Sequence, residues 1–265
     1  MIDANLIKFC HHITDLSEDI AKKYFRMPNG EIEKADNSPV TLADREIEAM
    51  IRKKIKEYYP SHGIIGEEFG PENENAEFKW IIDPIDGTSS FIIGRPTFGT
   101  LIALAHNNNP ILGIINQPIT GERWLGIDDG SEHQGAWLNG KSITTRNCTE
   151  IQDSVISTTS PYFFDSYEWE RFEKITKIAK YQKYGGVIYG GDCYSYALLA
   201  SGFLDIVVES TLQVYDYAAL LPIVRAAGGK AGDWQGFDLD LRSDAKLLAC
   251  ATPELYDKVK NAMNY

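Results

Sequence analysis

The sequence predicts an α/β protein built from two unlike halves: an α+β half over residues 1–143 and an α/β half over residues 144–265. Three observations predict it. Two amphipathic helical patterns lead the chain, residues 98–143 then carry strand-like runs separated by turn pairs, and beyond residue 145 helices and strands alternate. With 265 residues, 43% of them apolar and 24% charged, the chain can bury a sizeable core and is too apolar to be disordered.

From Asn5 to Phe25, apolar residues at Leu6, Phe9, Cys10, Ile13, Leu16, Ile20, Ala21 and Tyr24 recur at steps of three and four, which predicts a helix with one buried stripe. A second helix is expected to start after Thr41, because Thr41-Leu42-Ala43-Asp44 has capping-box spacing, and to stop at Pro60. Gly63–Gly66 and Lys79–Ile82 read as short buried strands. Each delivers a carboxylate at its C-terminal end, Glu67 and Asp83. The runs Thr100–Ala105, Ile111–Asn116, Arg123–Ile127 and Ala136–Leu138 are separated by turn signals such as Asp129-Gly130 and Asn139-Gly140, so they read as an antiparallel meander. The second half follows with a strand near Val155 and helices over Tyr167–Lys180 and near Tyr194–Ala200. A strand at Leu204–Val208, a helix from Asp216 to Ala227 ended by Gly228-Gly229, a strand near Leu247–Ala249 and a last helix after Thr252 complete it.

Composition excludes several functions. There are 26 Lys and Arg against 38 Asp and Glu, a net charge of −12, which is the wrong sign for gripping a nucleic-acid backbone or an anionic membrane. No apolar run approaches the roughly 20 residues of a membrane span, and the N-terminus lacks a basic region followed by a hydrophobic one, so a cytoplasmic protein is expected. Cys10, Cys148, Cys193 and Cys250 are far apart and form no CxxC pair, so reduced, packed thiols are expected. The five histidines fall into no zinc-binding spacing.

The densest chemistry lies in Trp80-Ile81-Ile82-Asp83-Pro84-Ile85-Asp86-Gly87-Thr88. Here a buried strand is expected to end in a carboxylate, a proline-stiffened turn, a second carboxylate, and Gly-Thr. Two carboxylates three residues apart in a turn can converge on one hard cation, with the Ile85 carbonyl between them as a further oxygen ligand. If Gly87 and Thr88 open a helix, their amides make an anion site beside the metal. An isolated string of this kind reads equally well as a turn plus helix cap. Gly66-Glu67-Glu68 and Tyr215-Asp216-Tyr217 add further acids, although Asp216 also suits a helix start.

These motifs, with Lys34 and Ser38-Pro39-Val40-Thr41-Leu42-Ala43-Asp44 before them and Ala226-Ala227-Gly228-Gly229 after them, resemble the magnesium-dependent, lithium-sensitive inositol monophosphatase-like phosphatases over nearly the whole chain. The resemblance implies a layered αβαβα sandwich, usually dimeric, that holds two or three magnesium ions. It implies that Glu67, Asp83 and the Ile85 carbonyl hold one ion, that Asp83, Asp86 and Asp216 hold a second, and that Glu67 helps hold a third. Glu67 and Thr88 would position and deprotonate the attacking water, the Gly87 and Thr88 amides would hold the phosphate, and Asp44 and Glu68 would orient metal-bound water or Thr88. For Asp44 the helix-cap reading stands beside this one, and for Lys34 a solvated loop position stands beside substrate contact. The physical logic is independent of the family. A phosphate monoester is a dianion, and a site of carboxylates in a chain of charge −12 repels it unless metal ions reverse the local charge.

Within that family the chain is most similar to the histidinol-phosphate phosphatases, on Phe91 to Leu104, on Gln117-Pro118 with Glu122-Arg123-Trp124, and on Gly190-Gly191-Asp192-Cys193-Tyr194. One position departs from that branch: Ser89 stands where a basic residue is expected. Asp192 and Glu209 are carboxylates beyond the metal set and suit the cationic nitrogens of histidinol. Carboxylates also bind polyol hydroxyls, so an inositol or related sugar or nucleotide phosphate is the alternative substrate. The bland alternative for Asp192 is a helix cap and for Glu209 a solvated strand end. From another class, the chain could be a silent binding subunit; the complete set Glu67, Asp83, Asp86, Thr88 and Asp216 argues against it. A haloacid-dehalogenase-type phosphatase would need DxDx[TV], which is absent here.

Overall fold

A computed structural model describes residues 2–27, 39–179, 187–243 and 245–264. The expected substrate contact Lys34 lies outside the described residues. The chain opens with α1 (Ala4–Tyr24), whose first amides are capped by the Asp3 carboxylate, and α2 (Pro39–Tyr58). The second helix therefore starts before Thr41. Proline has no amide to leave unpaired in a first turn and its fixed φ suits the helix start, so Pro39 opens the helix and Asp44 lies within it, not at a cap.

Seven strands then pair strictly in sequence order: β1 (Gly63–Gly66), β2 (Phe78–Asp86), β3 (Gly99–His106), β4 (Asn109–Gln117), β5 (Glu122–Ile127), β6 (Gly135–Leu138) and β7 (Lys141–Ser142), with the short α3 (Thr88–Ile92) between β2 and β3. Only β1 and β2 are parallel; the rest is the expected meander. The second sheet contains β8 (Ile156–Thr158), β9 (Ile188–Tyr189), β10 (Ile206–Leu212), β11 (Lys230–Asp233) and β12 (Ala245–Cys250), in the order β11-β12-β10-β8-β9. Its helices are α4 (Ser166–Ile178), α5 (Asp192–Ala200), α6 (Val214–Tyr217), α7 (Leu220–Ala226) and α8 (Pro253–Asn264).

Alternation along the strands produces the layers. On one face of the first sheet, Trp80, Ile82, Ile102 and Leu104 bury against Phe9 and Ile13 of α1 and Ile47 and Ile51 of α2. The interleaved Ile81, Leu101 and Ala103 face Tyr196, Leu199 and Leu221 of the middle helices, which meet Val207, Leu247 and Ala249 of the second sheet on their other side. The outer face of that sheet, through Ile206, Val208 and Leu248, packs on Phe172 of α4 and Leu255 and Val259 of α8. The result is the expected αβαβα sandwich. The helix expected over Asp216–Ala227 is broken in two, because a continuous helix would drive the Pro222 ring into the carbonyl of Ala218. Among the described residues no helix is long and apolar enough to cross a membrane, and all four cysteines are buried and free.

Candidate active site

The acidic cluster begins with a register fault. In a regular strand Asp83 and Asp86, three residues apart, would point to opposite faces of the sheet. Instead Asp83 pairs with Leu101 and Asp86 with Gly99, so three steps on β2 oppose two on β3. This bulge turns both carboxylates to one side, and it replaces the proline-stiffened turn expected between them. Pro84 has no amide to donate at that point, while its carbonyl accepts from Thr100 Oγ1 at 2.8 Å.

The remaining acids arrive from separate elements. The Glu67 amide donates to the Ile82 carbonyl at 3.3 Å, which extends the β1–β2 pairing and places Glu67 beside the end of β2. Asp216 sits in the first turn of α6, where its Oδ2 accepts the Gln213 amide at 2.6 Å, so it does cap its helix as well as join the cluster. That helix is seated by close approach of the following one. A Cβ on Gly113 would lie 2.0 Å from the Ala219 carbonyl oxygen, and one on Gly126 would lie 2.3 Å from Ile223 Cα.

Asp83, Asp86 and Asp216 each offer an oxygen, and these oxygens lie within 4.8 Å of one another. Asp83 is buried, and its Oδ1 has no hydrogen-bond partner among the described residues. Burial and the negative charges of Asp86, Glu67, Asp216 and Asp44 push Asp83 well above the usual carboxylate range; burial and the charges of Asp192 and Asp216 do the same to Asp86. Asp216 is raised to about 6, chiefly by desolvation, and Glu67 to about 7 by desolvation and then by Asp216 and Glu68. Three convergent oxygen donors, one of them an orphaned buried atom, and acids that resist ionising together fit a hard cation.

Asp44 lies close by, 6% exposed and with Oδ1 unpartnered among the described residues; burial and the charges of Glu67, Glu68 and Glu48 raise it to about 8. Thr88 Oγ1 donates to the Ile85 carbonyl at 3.3 Å, and Gly87 adopts a left-handed φ of 81° at the start of α3. Thus the charges of Glu67 and Asp44 act on Asp83, that of Glu68 acts on Glu67, and Gly87 and Thr88 follow Asp86 directly along the chain, although Glu67 itself is not among the three mutually close carboxylates.

Beyond the triad lies a cavity of about 40 Å³ whose wall includes Asp86, Asp192, Tyr196, Glu209 and Asp216. Glu209 is no solvated strand end. It is 2% exposed within β10, accepts the Thr159 amide at 2.7 Å, and is raised by burial to about 8. Asp192 is not the cap of α5, a place taken by Gly191; its Oδ2 accepts from Ser90 Oγ at 3.3 Å, and Arg95 is the cation that most favours its charge. A larger cavity, about 540 Å³, opens between α1 and the meander around Ile7, Arg123 and Trp137, away from the triad. There the Arg123 guanidinium is already paired with Asp15 at 2.8 Å and Glu18 at 3.4 Å.

Sequence reasoning missed two supports. The Cys193 amide donates to Asp86 Oδ2 at 2.6 Å, which ties the second half of the chain to the triad. Glu48, fully buried in α2, accepts the amides of Glu68 and Phe69 at 2.8 and 3.2 Å and pairs with Arg52 at 2.7 Å. A Glu-x-x-x-Arg spacing was its signal, and it resembles any exposed helical ion pair.

Comparison with known proteins agrees with this geometry. The family model described as the inositol monophosphatase family matches residues 6–264. Bifunctional phosphatase IMPL2, chloroplastic, of Arabidopsis thaliana is 44% identical over 226 residues, covering 84% of this chain and 63% of that protein, less than two thirds of its length. Histidinol-phosphatase of Chlorobaculum parvum is 38% identical over 205 residues, 77% of this chain and 75% of that one. A solved structure of an inositol monophosphatase from Zymomonas mobilis has a TM-score of 0.90 and 40% identity, covering 100% of both chains.

Proposed function

This chain belongs to the inositol monophosphatase family and is a phosphoric monoester hydrolase, and within that class we propose that it is a magnesium-dependent phosphatase of histidinol phosphate, releasing histidinol and phosphate. The observation that carries the substrate is the cavity beside the triad. Four carboxylates, Asp86, Asp192, Glu209 and Asp216, line it, and no lysine or arginine among the described residues does. With Asp86 and Asp216 given to the metal, Asp192 and Glu209 remain as acceptors for an ester whose other end carries an amine and an imidazole.

Glu67, Asp83, Asp86, Asp216 and the Ile85 carbonyl form an all-oxygen set suited to two or three magnesium ions. Magnesium, when bound, supplies Lewis-acid neutralisation of the phosphoryl oxygens and makes water acidic enough to attack near neutral pH. Glu67, the carboxylate beside Asp83 and Asp216, takes the proton of the attacking water. The Thr88 hydroxyl positions that water, and the Gly87 and Thr88 amides receive the phosphate. Asp44 and Glu68 orient metal-bound water or Thr88. On the same reading the enzyme is a homodimer.

A second reading, an inositol monophosphatase, is favoured by the full-length likeness to the Zymomonas mobilis structure. Phosphate release by purified protein with magnesium separates the two. Histidinol phosphate, inositol 1-phosphate, fructose 1,6-bisphosphate and 3′-phosphoadenosine 5′-phosphate are compared, with Asp83→Asn as control. Preference for histidinol phosphate that vanishes in the variant is expected. Preference for inositol phosphate overturns the substrate while keeping the metal chemistry, and release from none of them favours a silent subunit.

A further inference from the structure

The cavity beside the triad contains a hydroxyl that the reaction described above does not use. Tyr196, in α5, is 2% exposed and packed in the middle core, and its phenolic oxygen has no hydrogen-bond partner among the described residues. A buried hydroxyl without a partner is costly and uncommon. Phenylalanine would fill the same space without that cost, so packing does not account for the oxygen. Burial, and then the charges of Glu209, Asp86 and Asp216, keep the phenol a neutral O–H among the acids whose side chains line the same cavity.

The chemistry of the wall leaves a distinct role for this group. A carboxyl group accepts when ionised and donates only while it keeps a proton, whereas a phenol both donates and accepts across the working pH range. Glu209 Oε1 already takes the Thr159 amide at 2.7 Å and Asp192 Oδ2 takes Ser90 Oγ at 3.3 Å, which fixes both carboxylates on the protein side and aims them at the cavity. Tyr196 lines the same cavity with its oxygen uncommitted.

We propose that Tyr196 is a specificity-determining residue whose hydroxyl completes, with Asp192 and Glu209, a three-point hydrogen-bonding cradle for the nitrogen-bearing end of the phosphate ester. This rests on the histidinol phosphate reading and adds to it a neutral discriminator among charged ones.

The test compares wild type with Tyr196→Phe on two esters, histidinol phosphate and n-propyl phosphate, which lacks the nitrogen-bearing end. The ratio of kcat/KM between the two esters is expected to fall about tenfold in the variant, the scale of one hydrogen bond, and mostly through KM for histidinol phosphate. The variant's Tm is expected to equal or exceed that of wild type, since an unpaired buried polar atom has been removed. An unchanged ratio, whether both esters slow alike with a lower Tm or neither slows, overturns the cradle and makes Tyr196 a packing residue or a neighbour of trapped water. Wild type inactive on histidinol phosphate overturns the substrate reading and the cradle together; wild type active with the ratio preserved overturns the cradle alone.

Discussion

The carboxylate of Glu48 occupies the space that a side chain on Gly66 would need: a Cβ there would lie 2.1 Å from Glu48 Oε1. Glu48 is held by the Glu68 and Phe69 amides and by Arg52, so it cannot swing aside without breaking three bonds. The absence of a side chain at Gly66 thus lets α2 clamp the backbone that carries Glu67 and Glu68.

Gly66→Ala is therefore expected to cost about 2–3 kcal/mol of stability by overpacking. Glu48→Ala is expected to cost a similar amount, about 2–3 kcal/mol, because it leaves the Glu68 and Phe69 amides unpaired and takes one carboxylate from Arg52, which keeps Glu72 and the Gly70 carbonyl. Urea unfolding measures both. At a temperature where the variants stay folded, phosphate release is expected to fall as well, since the clamp sets the position of Glu67; full activity in either variant would sink that link.

Asp83→Asn removes an ionisable carboxyl from the buried cluster. Activity is expected to drop by more than about 100-fold and magnesium to bind more weakly, while the metal-free protein becomes more stable at pH 8. Titration calorimetry and denaturant melts in chelator check the two halves separately. A metal-free variant less stable than wild type would mean that Asp83 is chiefly a structural hydrogen-bonding residue.

The raised acids also set a pH dependence. Asp44 and Glu209 at about 8, Glu67 at about 7 and Asp216 at about 6 stay protonated in the folded state above the roughly 4 at which unfolded carboxylates ionise. Between those values the folded state binds more protons than the unfolded state, so stability falls as pH rises through the window. Without divalent metal, Tm is expected to drop by at least ~5 °C from pH 5 to pH 8, with Glu67 contributing least because it is the most solvated. Magnesium is expected to raise Tm more at pH 8 than at pH 5. Equal metal-induced shifts at both values would refute the frustrated-cluster account.

Gly87→Ala meets two obstacles at once, a left-handed φ of 81° and the Asp192 carboxylate 2.9 Å from the new Cβ. A loss of about 1–2 kcal/mol is expected from the backbone alone. Asp192 must turn away, so kcat/KM for histidinol phosphate is expected to fall by more than magnesium affinity does. Parallel thermal melts, kinetics and metal titrations would expose the opposite pattern.

The two leading helices, the meander, most of the later alternation and the spacing of Asp83 and Asp86 were legible in the sequence alone, because periodicity, turn pairs and acid spacing are local properties of a chain. The short β9 and β11 carry no such pattern, and the rest of the acidic set was named through the family resemblance. Helix starts and breaks were less so: Pro39 moved one and Pro222 made another. Tertiary structure decided what those acids became. The β2 bulge, not a turn, put Asp83 and Asp86 on one side, and burial converted Glu209 from a plausible strand-end charge into a wall of the cavity. Glu48 and Tyr196 looked like an ordinary helical acid and an ordinary core aromatic, and only packing revealed a clamp and an unpaired hydroxyl. The physical reason is that residue type and spacing act along the chain, whereas desolvation and hydrogen-bond partners depend on groups brought together from 20 to more than 100 residues away.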